Sequence, residues 1–252
     1  MRTTSYNHLA LFTSIEGLDA GSEPALREIT ILRSDRAVPG FVENVTDRAS
    51  NPFGMSPPCE VQCSTDVPAV FGYGDANADF HVIGDHPGVH GGRTTGVPFT
   101  ESIAGERLQD VFYETGFLAE PYADAPRTSN LFLDYVHMCC SPAGATPPPE
   151  SYAELERFFD AELRAINAHI LLPVGARATE RVVAEYTTQS RKVTWDMDLL
   201  HATEVRGRGF LVVPIEDPAE WEEGDRERIV ARLSAILASD YRQTKGVATT
   251  IG

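Results

Sequence analysis

Residues 70–100 read VFGYGDANADFHVIGDHPGVHGGRTTGVPFT, and this stretch decides the fold. A turn-rich lead-in holding Gly72, Gly74, Asp75 and Asn77 runs into a short apolar segment, Asp79 to Ile83. The segment breaks on Gly84-Asp85-His86-Pro87-Gly88 and continues as a loop with Gly91, Gly92 and Gly96 that closes on Pro98-Phe99. This pattern predicts a strand delivering a polar, glycine-rich loop to one edge of a sheet. Glycine lets backbone amides approach a ligand closely, and open α/β sheets bind ligands beyond the C-terminal ends of their strands, so the functional site is expected here. The spacing fits neither the GxGxxG fingerprint nor a P-loop, whose last glycine is followed by Lys and then Ser or Thr; no nucleotide cofactor is expected.

Outward from this stretch, strands and helices alternate. Glu101 to Thr115 carries Ile103, Leu108, Val111 and Phe112 on one side and predicts a helix. Asn130 to Met138 reads as a second strand, interrupted by Asp134 and His137. A proline stop at Pro147 to Pro149 precedes a helix from Glu150 to Asn167, where Tyr152, Leu155, Phe159, Leu163 and Ile166 recur at helical spacing. Ile170 to Val174 is a third strand, turning at Gly175 into a helix from Arg177 to Tyr186. Phe210 to Ile215 is a fourth, and Arg226 to Leu237 a terminal helix. Such alternation predicts a three-layer α/β/α sandwich around a central, mostly parallel four-stranded sheet. Residues 1–58, with a helix expected around Glu23 to Leu32 and closing on Pro57-Pro58, read as an N-terminal extension; 59–240 form the domain and 241–252 a tail.

The chain of 252 residues has 37 acidic against 21 basic side chains and a formal net charge of −16; Lys192 and Lys245 are its lysines. An acidic, lysine-poor, arginine-retaining surface suggests a cytoplasm of high salt. Nucleic-acid affinity ordinarily comes from Lys and Arg neutralising phosphates, but at about 1 M salt the Debye length is about 3 Å and that term is screened for every protein. A DNA partner is therefore compatible with the acidity, provided that pocket shape, stacking and hydrogen bonds supply the binding. The first twenty residues lack the apolar core of a secretory signal, and no segment approaches the roughly 18 apolar residues of a membrane span. A cytoplasmic protein without a membrane partner is expected, in which four cysteines serve as metal ligands or buried thiols.

Gly84-Asp-His-Pro-Gly88 followed by Thr95-Gly-Val-Pro-Phe99 resembles the first motif of the uracil-DNA glycosylase superfamily. In the iron–sulfur branch, which the chain resembles most, that motif reads Gly-Glu-Ala-Pro-Gly and then Gly-x-Pro-Phe, after a Val-Phe-Gly lead-in like Val70-Phe71-Gly72. The phrase His90-Gly-Gly-Arg-Thr-Thr-Gly96 is similar to a loop of the related broad-specificity branch. The resemblance covers Cys59 to about Leu237. It implies the three-layer fold and hydrolysis of the N-glycosidic bond of uracil or another deaminated base in DNA. A repurposed member that binds nucleic acid or a small ligand, and a cluster-bearing redox or regulatory protein, are the alternatives.

The resemblance also implies roles. Asp85, in the place of the motif's glutamate, would position water, its alternative being a turn aspartate that bonds backbone amides. Phe99 would stack on the base, or else belong to the core. The backbone around Gly84 and Gly88 would contact the base, with His86 a proton donor or phosphate ligand. His90 is expected to face solvent, and Arg93 to reach a phosphate. Two positions depart from the pattern. Tyr135, with Asp134 beside it, stands where relatives read the base with asparagine. Pro214-Ile-Glu-Asp-Pro-Ala219 puts Asp217 where relatives carry the histidine that stabilises the departing anion; a carboxylate there opposes the reaction unless protonated or repositioned. His201 is a candidate substitute.

The resemblance finally implies a four-iron, four-sulfur cluster on cysteines. Cys59 and Cys63 match the first pair and Cys139 the third ligand, but Leu155 occupies the fourth position; Cys140 or a nearby histidine is the candidate replacement. Neighbouring Cys139 and Cys140 would face opposite sides of a regular strand, so joint ligation requires the strand to be broken there. The other reading is four buried thiols and no cluster.

Overall fold

A computed structural model describes residues 51, 53–142, 145–166 and 168–241; the expected helix around Glu23 to Leu32 lies outside the described residues. In chain order the elements are β1 (Tyr73–Gly74), β2 (Phe80–Gly84), α1 (Pro87–His90), α2 (Ile103–Glu114), β3 (Leu131–Tyr135), α3 (Pro149–Ile166), β4 (Ile170–Pro173), α4 (Ala176–Tyr186), α5 (Met197–Leu200), β5 (Val205–Gly207), β6 (Phe210–Val212) and α6 (Asp225–Ala238). The sheet runs β1-β3-β2-β4-β6-β5. Its four central strands are parallel, as expected, and short antiparallel strands β1 and β5 are added at the two edges.

Alternation along each strand builds the layers. Phe80 and Val82 of β2, Leu131 and Leu133 of β3, and Ile170 and Leu172 of β4 face α2 and α6, packing with Leu108, Val111, Phe112, Ile229 and Leu233. Ile83, Leu171 and Val212 point the other way, against Phe159 and Leu163 of α3 and Val182 and Val183 of α4. Strands covered on both faces are apolar throughout, which is how the parallel sheet reads in sequence. One polar group interrupts it. His81, Asp134 and Glu162 are fully buried together beneath α3, with Glu162 Oε1 accepting the Gly72 N–H at 3.0 Å. Burial pushes the Asp134 carboxyl up to about 7, and burial followed by the Asp134 charge raises Glu162 well above its usual value; burial lowers the His81 imidazole to about 4.

The order of the strands places the site. The chain passes from β2 to β3 on one side, then crosses back over β2 to β4 on the other. The loops after β2 and β4 consequently leave the sheet in opposite directions, and the crevice between them is the topological switch point where such sheets bind ligands. Among the described residues no helix is long and apolar enough to cross a membrane.

Candidate active site

Asp85 is the first residue beyond β2 and stands at that crevice. Its Oδ1 accepts a hydrogen bond from the Tyr152 hydroxyl at 2.6 Å, and its Oδ2 lies 3.5 Å from Arg177 Nε. The Arg177 guanidinium covers the Tyr152 ring at 4.6 Å. Tyr152 comes from the first turn of α3 and Arg177 from the first turn of α4, so helices following two different strands grip one carboxylate from either side. Burial and then the Asp85 hydrogen bond raise the Tyr152 phenol, so it remains a donor. The Asp85 side chain keeps 15% of its surface exposed, enough for a water to reach it. Neither Tyr152 nor Arg177 was singled out from the sequence; the switch-point rule, which points to the first turn after β4, is the signal that finds Arg177.

Above Gly84 three rings converge. A Cβ built on Gly84 would lie 2.7 Å from His90 Nδ1, Phe99 Cζ and Tyr135 Cε1, so only glycine fits under them. Phe99 is 1% exposed and packs edge-on against Tyr135, with ring centres 5.3 Å apart. Its backbone has φ +58°, a conformation costly for a residue other than glycine and a recurrent feature of functional sites. The Tyr135 hydroxyl holds it there, accepting the Phe99 N–H at 2.7 Å and donating to the Gly91 carbonyl at 3.1 Å. Both capacities of that hydroxyl are thus spent on the loop rather than turned to the crevice.

His90 corrects the expectation of a solvent-facing loop residue: it is 1% exposed. Its Nδ1 accepts the Asp85 N–H at 3.0 Å, and its ring stacks on Phe99 at 5.3 Å with the planes 29° apart. Its own carbonyl is held by the Ser102 hydroxyl, which caps α2. Its Nε2 lies 3.7 Å from Asp217 Oδ2 and has no hydrogen-bond partner. Asp217 therefore reaches the same group of rings from the loop after β6. Arg107 pins that loop, donating to the Pro218 carbonyl at 2.7 Å. Burial works against the Asp217 charge, but His90 and the Ala219 N–H outweigh it and hold the carboxyl below its usual value.

The remaining candidates have other engagements. His86 caps α1, its Nδ1 accepting the Gly88 N–H at 3.0 Å, and burial lowers its imidazole to about 4; it is neutral near pH 7 and offers no charge to a phosphate. His201 spends both nitrogens on backbone, accepting from Glu216 N–H at 2.9 Å and donating to the Asp225 carbonyl at 2.8 Å, so it braces the loop after β6. Arg93 donates to the Ser141 carbonyl at 3.1 Å.

The cysteines gather where β3 ends. Cys59 is bonded to Cys139 and Cys63 to Cys140, as two disulfides with Cα separations of 5.3 and 5.0 Å. Regular strand stops at Tyr135, which frees the neighbours Cys139 and Cys140 to reach different partners. Leu155 packs in the same apolar cluster as Cys59 and Cys139, beside a cavity of about 280 Å³. Four sulfurs thus meet at one locus, with Cys140 adjacent where Leu155 cannot ligate, but each is held in a disulfide rather than as the metal ligand or buried thiol expected from the sequence. Reduction of both disulfides is what would free them.

The sequence of residues 71–231 matches the uracil DNA glycosylase superfamily, and the chain belongs to it. A type-5 uracil-DNA glycosylase of Thermus thermophilus is 29% identical over 119 residues. That match covers 46% of this chain and 54% of the relative, so the chain spans about half the length of that protein.

Proposed function

We propose that the chain hydrolyses the N-glycosidic bond of uracil or another deaminated base in DNA. The observation that carries this reading is the Asp85 carboxylate, partly exposed at the switch-point crevice, gripped by Tyr152 and Arg177 and adjoining the packed rings of His90, Phe99 and Tyr135. Such a base must leave the duplex to be reached. In the crevice Asp85 orients a water toward the sugar carbon and takes its proton; the carbon–nitrogen bond breaks as the carbon–oxygen bond forms, and the electron pair departs with the base. Arg177, 45% exposed at the rim, would meet a phosphate flanking the extruded nucleotide. In a high-salt cytoplasm, pocket shape and stacking supply the binding that an acidic surface does not.

A second reading, a repurposed member that binds without cleaving, draws on one observation. His90 lies over the Phe99 face on which relatives stack the base, and Tyr135 is tied into the loop. Base release separates the two. Oligonucleotides carrying uracil, hypoxanthine or xanthine, single- and double-stranded, are incubated in molar salt and the abasic product is cleaved and resolved. Turnover that Asp85→Asn abolishes supports the hydrolase; binding without release by a folded wild-type protein supports the other.

We further propose a four-iron, four-sulfur cluster on Cys59, Cys63, Cys139 and Cys140. When bound, it would supply a four-point clamp between the segment before β1 and the end of β3. Iron, sulfide and visible absorbance in anaerobically purified protein test it, and their absence rejects it.

A further inference from the structure

Asp217 stands where the resemblance puts the histidine that steadies the departing base, and a carboxylate alone would oppose that departure. The structure supplies an imidazole at the same spot from another part of the chain. His90 reaches it from the loop after β2, with Asp217 behind Nε2 at 3.7 Å. The Asp85 N–H donates to Nδ1, so the neutral ring carries its proton on Nε2. The distance to Asp217 exceeds hydrogen-bond reach, and Nε2 has no partner elsewhere among the described residues. A donor in a ring 1% exposed, itself stacked over the Phe99 face, is therefore left without a hydrogen-bond partner. Buried polar groups without partners are rare and call for an explanation.

We propose that His90 is the catalytic donor to the departing base and that Asp217 positions it, the two together replacing the histidine of the last motif. The inference rests on the glycosylase reading above. The Nε2–H donates to a base oxygen as the carbon–nitrogen bond lengthens, stabilising the anion without transferring its proton. The Asp85 N–H and the Phe99 ring fix the ring's orientation, and the Asp217 carboxylate beside Nε2 favours the tautomer with the proton there. The Asp85 amide ties this donor to the residue that handles water, so the two chemical tasks share one backbone hinge.

Single-turnover base release in molar salt tests the pair, with wild type, His90→Asn, His90→Ala, Asp217→Asn and the double variant His90→Asn/Asp217→His compared on uracil and on fluorouracil. The shorter asparagine can still accept the Asp85 N–H but does not reach the position of Nε2. Removing one donor to a developing anion lowers rates by about 10²–10³-fold. That loss is expected for His90→Asn on uracil, with DNA affinity by fluorescence anisotropy within about twofold, as a transition-state interaction requires. Fluorine stabilises the departing anion, so the loss should shrink on fluorouracil, which a packing defect would not produce. The double variant should recover part of the rate by restoring the histidine at the other position. Asp217→Asn should lose less than His90→Asn with the same dependence on the base, and it carries the test should His90→Asn fail to fold. An unchanged His90→Asn rate, equal losses on both bases, or faster release by His90→Ala, which would make His90 a plug, overturns the proposal while leaving the glycosylase reading intact. A folded wild type that releases no base from either substrate overturns the reading on which it rests.

Discussion

Tyr135→Phe separates two accounts of one residue. If Tyr135 read the base, losing its hydroxyl would weaken recognition and leave the fold untouched. In the structure that hydroxyl accepts the Phe99 N–H and donates to the Gly91 carbonyl, and all of these atoms lie in a buried setting. Phenylalanine fills the same space but leaves one donor and one acceptor unpaired. An unsatisfied buried group costs about 1–3 kcal/mol, and partial relaxation of the loop brings the pair to about 2–4 kcal/mol. For a chain of this size each kcal/mol lowers Tm by about 2–4 °C, so a fall of roughly 5–15 °C is expected. Differential scanning calorimetry in molar salt measures it, with Tyr122→Phe as a comparison because that hydroxyl bonds an exposed Glu101 N–H. A Tyr135→Phe protein melting within about 1 °C of wild type refutes the account, since the hydroxyl would then not be holding Phe99 in its left-handed conformation.

Other outcomes follow from the same geometry. Asp85→Asn should lower base release by about 10²–10⁴-fold with DNA affinity retained, since only the proton acceptor is removed; unchanged release would remove Asp85 from the mechanism. Gly84→Ala drives a methyl to within 2.7 Å of three rings and should cost about 1–3 kcal/mol with loss of activity, read by thermal melting and base release. Reduction of the air-oxidised protein should lower its Tm, because the disulfides close sequence separations of 80 and 77 residues and each contributes about 2–4 kcal/mol. The Asp134 and Glu162 carboxyls have raised values in the fold, so the folded state holds protons that the unfolded chain has released. Stability therefore falls as pH rises from about 4, where unfolded carboxyls ionise, through about 7, where Asp134 does. Glu162→Gln should flatten that fall and raise Tm above pH 7; a chemical-denaturation series across pH with the same slope for both proteins would contradict it.

The central layers were legible because their signals are local. Phe80 to Ile83 and Ile170 to Leu172 are short apolar runs bounded by turns, and α3 has apolar positions at helical spacing behind a proline stop. The edges were not: β1 has two residues and β5 three, too few for any period, and α1 and α5 are single turns. At the candidate site, Asp85, Phe99 and Asp217 lie in motifs that are contiguous in the chain, which is why the sequence alone could single them out. It could not show that His90 turns inward, because the Asp85 amide and the Ser102 hydroxyl that fix the loop act only once the loop has folded back. It could not pair Tyr152 with Asp85 either; on a helical pattern Tyr152 is simply one more apolar position. Asp134 was visible as an interruption of its strand, but its partners His81 and Glu162 come from other elements.

The switch-point grip on Asp85 has a consequence for the order of events during folding. Tyr152 is 67 positions along the chain from the carboxylate it holds, and Asp217, farther still, arrives only with the strand on the other side of β4. Contacts between such distant segments form late, after the intervening chain has closed. In a refolding experiment base release should therefore return after secondary structure and central packing. A half-folded molecule would carry the loop that names its ancestry before the residues that grip Asp85 had met it.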